Sequence, residues 1–181
     1  QQLNDMMGPP GFLESIDVLV SPSFTHLNFI QNFPGVSTKI TGCVVPSGTD
    51  AELYDDAPDF FHRRPIIGWW SSPDRGLHHL LLAWPKIREA VPNVELRIFY
   101  HLDRLVKPSR DYATVGPWAT RGHLLYDLRP YCVPKNGIYV EGVLSRAKLR
   151  AWQKRTKVYA FPFDPVIPTE GFCQAILEAL A

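Results

Sequence analysis

Short β-branched, apolar runs alternate with segments of helical periodicity along most of this 181-residue chain. That alternation restricts the available folds more than any single motif does. Ile16-Asp17-Val18-Leu19-Val20 reads as a buried strand, Ser21-Pro22-Ser23 introduces a short apolar helix over residues 24–33, and residues 39–45 read as a second strand. A turn follows at Pro46-Ser47-Gly48-Thr49-Asp50, and the Asp/Pro-rich residues 55–65 read as a linker. We expect a domain boundary there, with residues 1–58 forming the tail of one domain plus the linker and residues 59–181 a second domain.

The second part opens with the apolar run Ile66-Ile67-Gly68-Trp69-Trp70, after which Ser72-Pro73 supplies a helix cap and a first-turn proline. Leu80, Leu81, Trp84, Ile87 and Val91 then repeat at helical spacing, with Pro85 as an expected kink and Pro92-Asn93 as the stop. A strand over 94–100 follows. Residues 101–134 scatter Pro, Gly and Arg around one short helix near 124–131, so an insertion or mobile loop is the expectation there. The alternation resumes with a strand over 138–141, a turn at Gly142, a helix over 145–154, a strand over 157–161 and a closing helix from about Gly171. Such alternation predicts an α/β fold, a Rossmann-like doubly wound parallel sheet with ligand sites at the carboxyl ends of its strands.

Composition removes several function classes. At 45% hydrophobic and 20% charged residues the chain is not disordered. A net charge of +1, and no basic block interleaved with aromatics that would track phosphates, argue against nucleic acid as a partner. Cys43, Cys132 and Cys173 are odd in number and lack CxxC spacing, which indicates neither a disulfide framework nor a metal site and fits a reducing, cytoplasmic setting. No apolar run has the length of a membrane span and no signal peptide opens the chain. A first residue other than Met and a last residue inside a helix lead us to expect a piece of a longer protein, truncated at its carboxyl end.

The densest chemistry lies in Pro168-Thr169-Glu170-Gly171-Phe172-Cys173, which leads into Gln174 to Ala181. Thr169 is a candidate helix cap, Gly171 permits close backbone approach, and the start of a helix offers N–H groups and a positive dipole end to an anion. If wholly helical, Glu170 to Glu178 would span about 12 Å at ~1.5 Å per residue, a length suited to a nucleotide diphosphate sugar.

These segments resemble the carboxy-terminal, donor-binding domain of the GT-B retaining glycosyltransferases of family 4 (group 1). Glu170 to Glu178 is similar to that family's Glu-x7-Glu signature, with Ala179-Leu180-Ala181 where Ala-Met-Ala is usual. Val45-Pro46-Ser47-Gly48-Thr49-Asp50 is similar to its Pro-Asn-Gly-Val-Asp segment, and Ser72-Pro73-Asp74-Arg75-Gly76-Leu77 lies where a Lys-Gly pair stands. The resemblance implies a metal-independent hexosyltransferase-like enzyme that moves a sugar from a nucleotide diphosphate sugar to a hydroxyl acceptor with retention. No cofactor is implied beyond that co-substrate, and the absence of an Asp-x-Asp pair agrees with this.

By the same resemblance Glu170 sits by the donor sugar as the catalytic residue, Gly171, Phe172 and Cys173 line the diphosphate, and Glu178 bonds the ribose. Arg75 with Gly76 faces the phosphates and Val143 the base. An arginine in the first turn of a helix opposes the dipole, so a bound anion would account for Arg75. Two departures stand out: Trp69-Trp70-Ser71-Ser72 lacks the family's extra arginine, and His101 replaces a glycine. Taken as a fragment, the chain is expected to turn over poorly alone, and the parent protein to make peripheral membrane contact through a domain not represented here. A second expectation is a non-catalytic nucleotide- or carbohydrate-binding module of the same fold. From the residues alone, Glu178 also reads as a solvated helix position, Trp69 and Trp70 as core packing, and His78 and His79 as a helix face.

Overall fold

The computed structural model describes residues 16–32, 40–102, 117–162 and 173–181, which fall into two compact units. In the first, β1 (Val18–Ser21) and β2 (Thr41–Val44) pair in parallel, with Val18 opposite Thr41 and Ser21 opposite Val44. The helix α1 (Phe24–Gln31) follows β1. Its cap is the last residue of the Ser-Pro-Ser run: Ser23 Oγ accepts the His26 N–H at 3.2 Å, satisfying one of the amides a helix start leaves over. Leu27 and Ile40 are buried in this unit.

The second unit, from Asp50 onward, holds a four-stranded parallel sheet. In chain order its elements are β3 (Arg64–Trp69), α2 (Leu77–Ala90), β4 (Glu95–Ile98), α3 (Pro117–Leu128), β5 (Ile138–Val140), α4 (Arg146–Gln153), β6 (Thr156–Tyr159) and α5 (Gln174–Leu180). The spatial order is β5-β4-β3-β6, so the winding reverses between β3 and β6. Parallel neighbours require crossovers, and the helical segments supply them. Pro65 has no N–H to give, and the pairing of β3 with β6 shifts register between Arg64 and Ile67.

One face of the sheet packs on α2 and α3. Trp69, Leu96, Ile98 and Ile138 meet Leu77, Leu81, Trp84 and Leu125 in a continuous apolar cluster. Period-two burial on β4 and 3.6-period burial on α2 produce this face, as the apolar spacing predicts. Trp84 Nε1 donates to Asn136 O at 2.7 Å, tying α2 to the turn before β5.

Two expectations are corrected. The helix after β3 does not start at Ser72: a 3₁₀ turn, Pro73–Arg75, comes first, and α2 begins at Leu77 behind Gly76 at φ 111°. Ser72 Oγ donates to the Asp74 carboxylate instead of capping an amide. Pro85 lies within α2, which continues for five residues past it to Ala90. In the 101–134 region α3 is longer than expected and contributes Leu125 to the core, its Pro and Gly standing at the helix start and within it. His78 is 4% exposed, facing inward from α2 beside Leu77. Of the closing helix, the described part starts at Gln174.

Candidate functional site

The opposite face of the sheet differs in chemistry. Arg97, 13% exposed, points there from β4 and is chelated by Glu95, with Nη2 at 2.6 Å and Nε at 3.0 Å from Oε2. Its Nη1 also donates to Glu141. The guanidinium carbon lies 3.8 Å from the Tyr139 ring centre and 4.8 Å from that of Trp152. Burial opposes the charge, but the two carboxylates outweigh it and hold the guanidinium's pKa above its ordinary value. Arg64 adds a 3.0 Å contact to Glu95. Neither Arg97 nor Glu95 stood out in the sequence, since a charged pair two apart on a strand reads as solvated.

Glu141 leads into the loop after β5, where Gly142 takes φ 70°, a conformation that favours glycine. A Cβ on Gly142 would stand 3.1 Å from His101 Cε1 and 3.3 Å from Nδ1, so the imidazole at the end of β4 lies directly against this glycine. The two border an open cleft of about 650 Å³ together with Leu102, Arg129, Cys132, Val140 and Glu141. Val143, the predicted base contact, is exposed just beyond Gly142. Arg129 brings a cation, its guanidinium 4.7 Å from the Tyr126 ring centre. Burial pushes the Cys132 thiol up to about 11, so it is a neutral wall of the cleft and no nucleophile. Apolar walls with a few polar groups at strand carboxyl ends suit a planar polar ligand.

A second, small cavity of about 50 Å³ lies beside β6. Glu178 lines it from α5, and Gln153 Nε2 donates to Glu178 Oε2 at 2.8 Å. Gln153 Oε1 in turn accepts from Tyr54 Oη at 2.9 Å. Burial, and next the charge of Glu178, hold the Tyr54 hydroxyl above its ordinary pKa. At the carboxyl end of β3, Trp70 stacks on Tyr159 with ring centres 4.2 Å apart, and its Nε1 donates to Ala175 O at 3.2 Å. Gly68 makes room for this: a Cβ there would meet the Trp70 ring at 2.3 Å. Trp69 is wholly buried and Trp70 packs at the strand end, as their core reading predicts.

The predicted site residues are thus only partly brought together. Arg75 and Gly76 stand on the 3₁₀ turn and its exit after β3, ahead of α2 and not in its first turn. Val143 flanks the cleft beyond β4 and β5, whereas Glu178 lines the cavity beside β6. Cys173 immediately precedes α5. Glu170, Gly171 and Phe172, with the Thr169 cap, lie outside the described residues. Sequence reasoning missed Tyr54, Gln153 and Arg129. Nothing in their spacing marks them: Tyr54 and Gln153 meet across 99 residues, and Arg129 lies over Tyr126 in no recognisable motif.

No protein-family model and no curated protein matches the chain. Among solved structures it is similar to a sucrose-phosphate synthase from Thermosynechococcus elongatus, with a TM-score of 0.61 at 16% identity. The similarity covers 94% of this chain and 40% of that one, so the chain spans two fifths of the structure it matches. The fold is a mixed α/β fold of parallel sheets and helices, similar to that of a GT-B glycosyltransferase. Among the described residues no helix is long and apolar enough to cross a membrane.

Proposed function

We propose that this chain is the donor-binding part of a retaining, metal-independent glycosyltransferase of the family 4 type, acting on a nucleotide diphosphate sugar and a hydroxyl acceptor. The observation that carries the reading is the cleft at the carboxyl ends of β4 and β5, set in a fold similar to that of a sugar-transferring synthase. In doubly wound sheets ligands bind outside the carboxyl ends of the strands, the end at which this cleft opens. In this reading the unit built on β3 to β6 holds the donor, with the base by Val143 and the cleft, and the ribose hydroxyls on Glu178.

Glu170 lies by the sugar, the backbone of Gly171, Phe172 and Cys173 by the diphosphate, and Arg75 with Gly76 opposite it. The chemistry assigned to these groups is leaving-group stabilisation: a guanidinium and backbone N–H groups take up charge on the departing phosphate as the glycosidic bond breaks. Gln153 takes one oxygen of Glu178 and so orients the other, which fits a carboxylate held ready for a hydroxyl. Titration calorimetry with UDP, GDP and ADP tests this. One of the three binds the wild type, and Glu178→Ala weakens it at least about tenfold, the loss of a charge-assisted hydrogen bond. Binding of none of them removes the donor reading.

A second reading, a nucleotide- or carbohydrate-binding module without transfer, is favoured by one observation. The His101 imidazole against Gly142 puts a side chain where the resembling family leaves open backbone. Nucleotide binding without sugar transfer by the longest available form of the protein would select it.

A further inference from the structure

Arg129 is held differently from the two arginines of the sheet. Arg64 and Arg97 are matched by carboxylates, those of Glu95 and Glu141. Arg129 is half-buried in the wall of the cleft, and among the described residues no carboxylate pairs with it. Its guanidinium lies instead over the Tyr126 ring, 4.7 Å from the ring centre. A ring face holds a cation without consuming its N–H groups, so the planar fork of donors remains to be used. Glu141, the acid that also lines the cleft, does not change this, because Arg97 takes it up.

The turn that carries Arg129 is fixed on both sides. Residues Arg129–Tyr131 form a 3₁₀ turn, closed by the Cys132 N–H, which donates to Arg129 O at 3.0 Å. Asn136 Nδ2 donates to Tyr131 O at 2.8 Å and ties this turn to the next one, before β5. The fork therefore has a set place on one wall of the cleft. Leu102 and Val140 offer a flat ring apolar contact there, and about 650 Å³ admits a bicyclic one.

What a fork of donors alone selects follows from the edges of the bases. Guanine carries two adjacent acceptors, O6 and N7, at the spacing a guanidinium spans with two bonds. Adenine sets the N6 amine beside N7, so one donor would face another, and cytosine has the same fault at N4. Uracil offers O4 beside a carbon, which leaves half the fork unused. A 6-oxopurine fills both positions.

We propose that the nucleotide taken by this site is a guanosine diphosphate, with Arg129 bidentate to O6 and N7 of the base and Tyr126 as the positioning residue beneath the guanidinium. The inference rests on the donor reading above and adds to it the identity of the base and the side chain that reads it.

Titration calorimetry of the full chain with a series of diphosphates tests it. GDP binds the wild type at least about tenfold more tightly than ADP or UDP, the discrimination expected of one good bidentate pair. Inosine diphosphate, which keeps O6 and N7 and lacks the 2-amine, binds as GDP does. The 7-deaza analogue of GDP, which lacks the N7 acceptor, binds about tenfold less tightly, a readout that needs no substitution in the protein. Arg129→Gln shifts the preference toward ADP, because a side-chain amide pairs with N6 and N7 of adenine. GDP bound no more tightly than UDP or ADP, 7-deaza-GDP bound as well as GDP, or an Arg129→Gln protein that keeps the preference for GDP overturns the inference and leaves the donor reading standing. Binding of none of the diphosphates overturns both.

Discussion

The two faces of the β5-β4-β3-β6 sheet are built from different materials. Toward α2 and α3 every central side chain is apolar, and Trp69, Leu96, Ile98 and Ile138 have no measurable exposure. Toward α4 the same strands present Arg97, Glu95, Tyr139 and Glu141, and Phe99 and Trp152 pack there with ring centres 5.9 Å apart. The first face draws on surface removed from water, which is non-directional and tolerant of partners. The second depends on geometry, since a charge taken from water is compensated only while each partner stays in place. Stability should therefore concentrate on the first face, and shape control of the cleft, through Glu141 and Gly142, on the second.

Substitutions can break this contrast. Leu96→Ala on the apolar face should cost about 3–5 kcal/mol, by transfer and cavity terms together, read from the denaturant midpoint. Arg97→Met should cost less, about 2 kcal/mol, because Glu95 and Glu141 keep some access to water, and adding Glu141→Gln should restore part of it. An Arg97 loss equal to that of Leu96 would erase the distinction. Gly142→Ala should cost about 1–2 kcal/mol through its left-handed backbone and crowd His101, shifting ligand affinity in the cleft more than the unfolding temperature. Tyr54→Phe should lose about 1 kcal/mol with its bond to Gln153.

The last expectation is chemical. With the Cys132 thiol raised to about 11, alkylation at pH 8 should find about a hundredfold less thiolate than at an unperturbed cysteine, measured by peptide mass spectrometry. Folding stability linked to this group is complete below the unfolded thiol's pKa, near 9, and is lost as pH rises toward 11, because the unfolded chain sheds the proton first.

The same contrast explains what the sequence makes legible. Local signals carry the apolar face: Leu80, Leu81, Trp84 and Ile87 announce α2, and Ser23 and Ser145 announce the caps of α1 and α4. The polar face has no local signature, since Arg97 meets Glu141 44 residues away and Tyr54 meets Gln153 99 residues away. The helix α3 was obscured by Pro117 and Gly122, residues that lower intrinsic propensity but that packing of Leu125 overrides. His101 was visible only as a departure from a resembling family, and its contact with Gly142 gives that departure a physical meaning.

The strand order also sets a timetable for synthesis. One edge of β3 is completed by β4, about thirty residues downstream, and the other by β6, about ninety residues downstream. At roughly 5–20 residues per second, a ribosome leaves that second edge unpaired for about 5–20 s after β3 is made. During that interval Gly68 offers no side chain to shield the backbone, and the Trp70 ring lacks Tyr159 to stack on. Residues 156–159 act as a seam, and a nascent chain stalled before them presents an open strand edge to chaperones or to its neighbours.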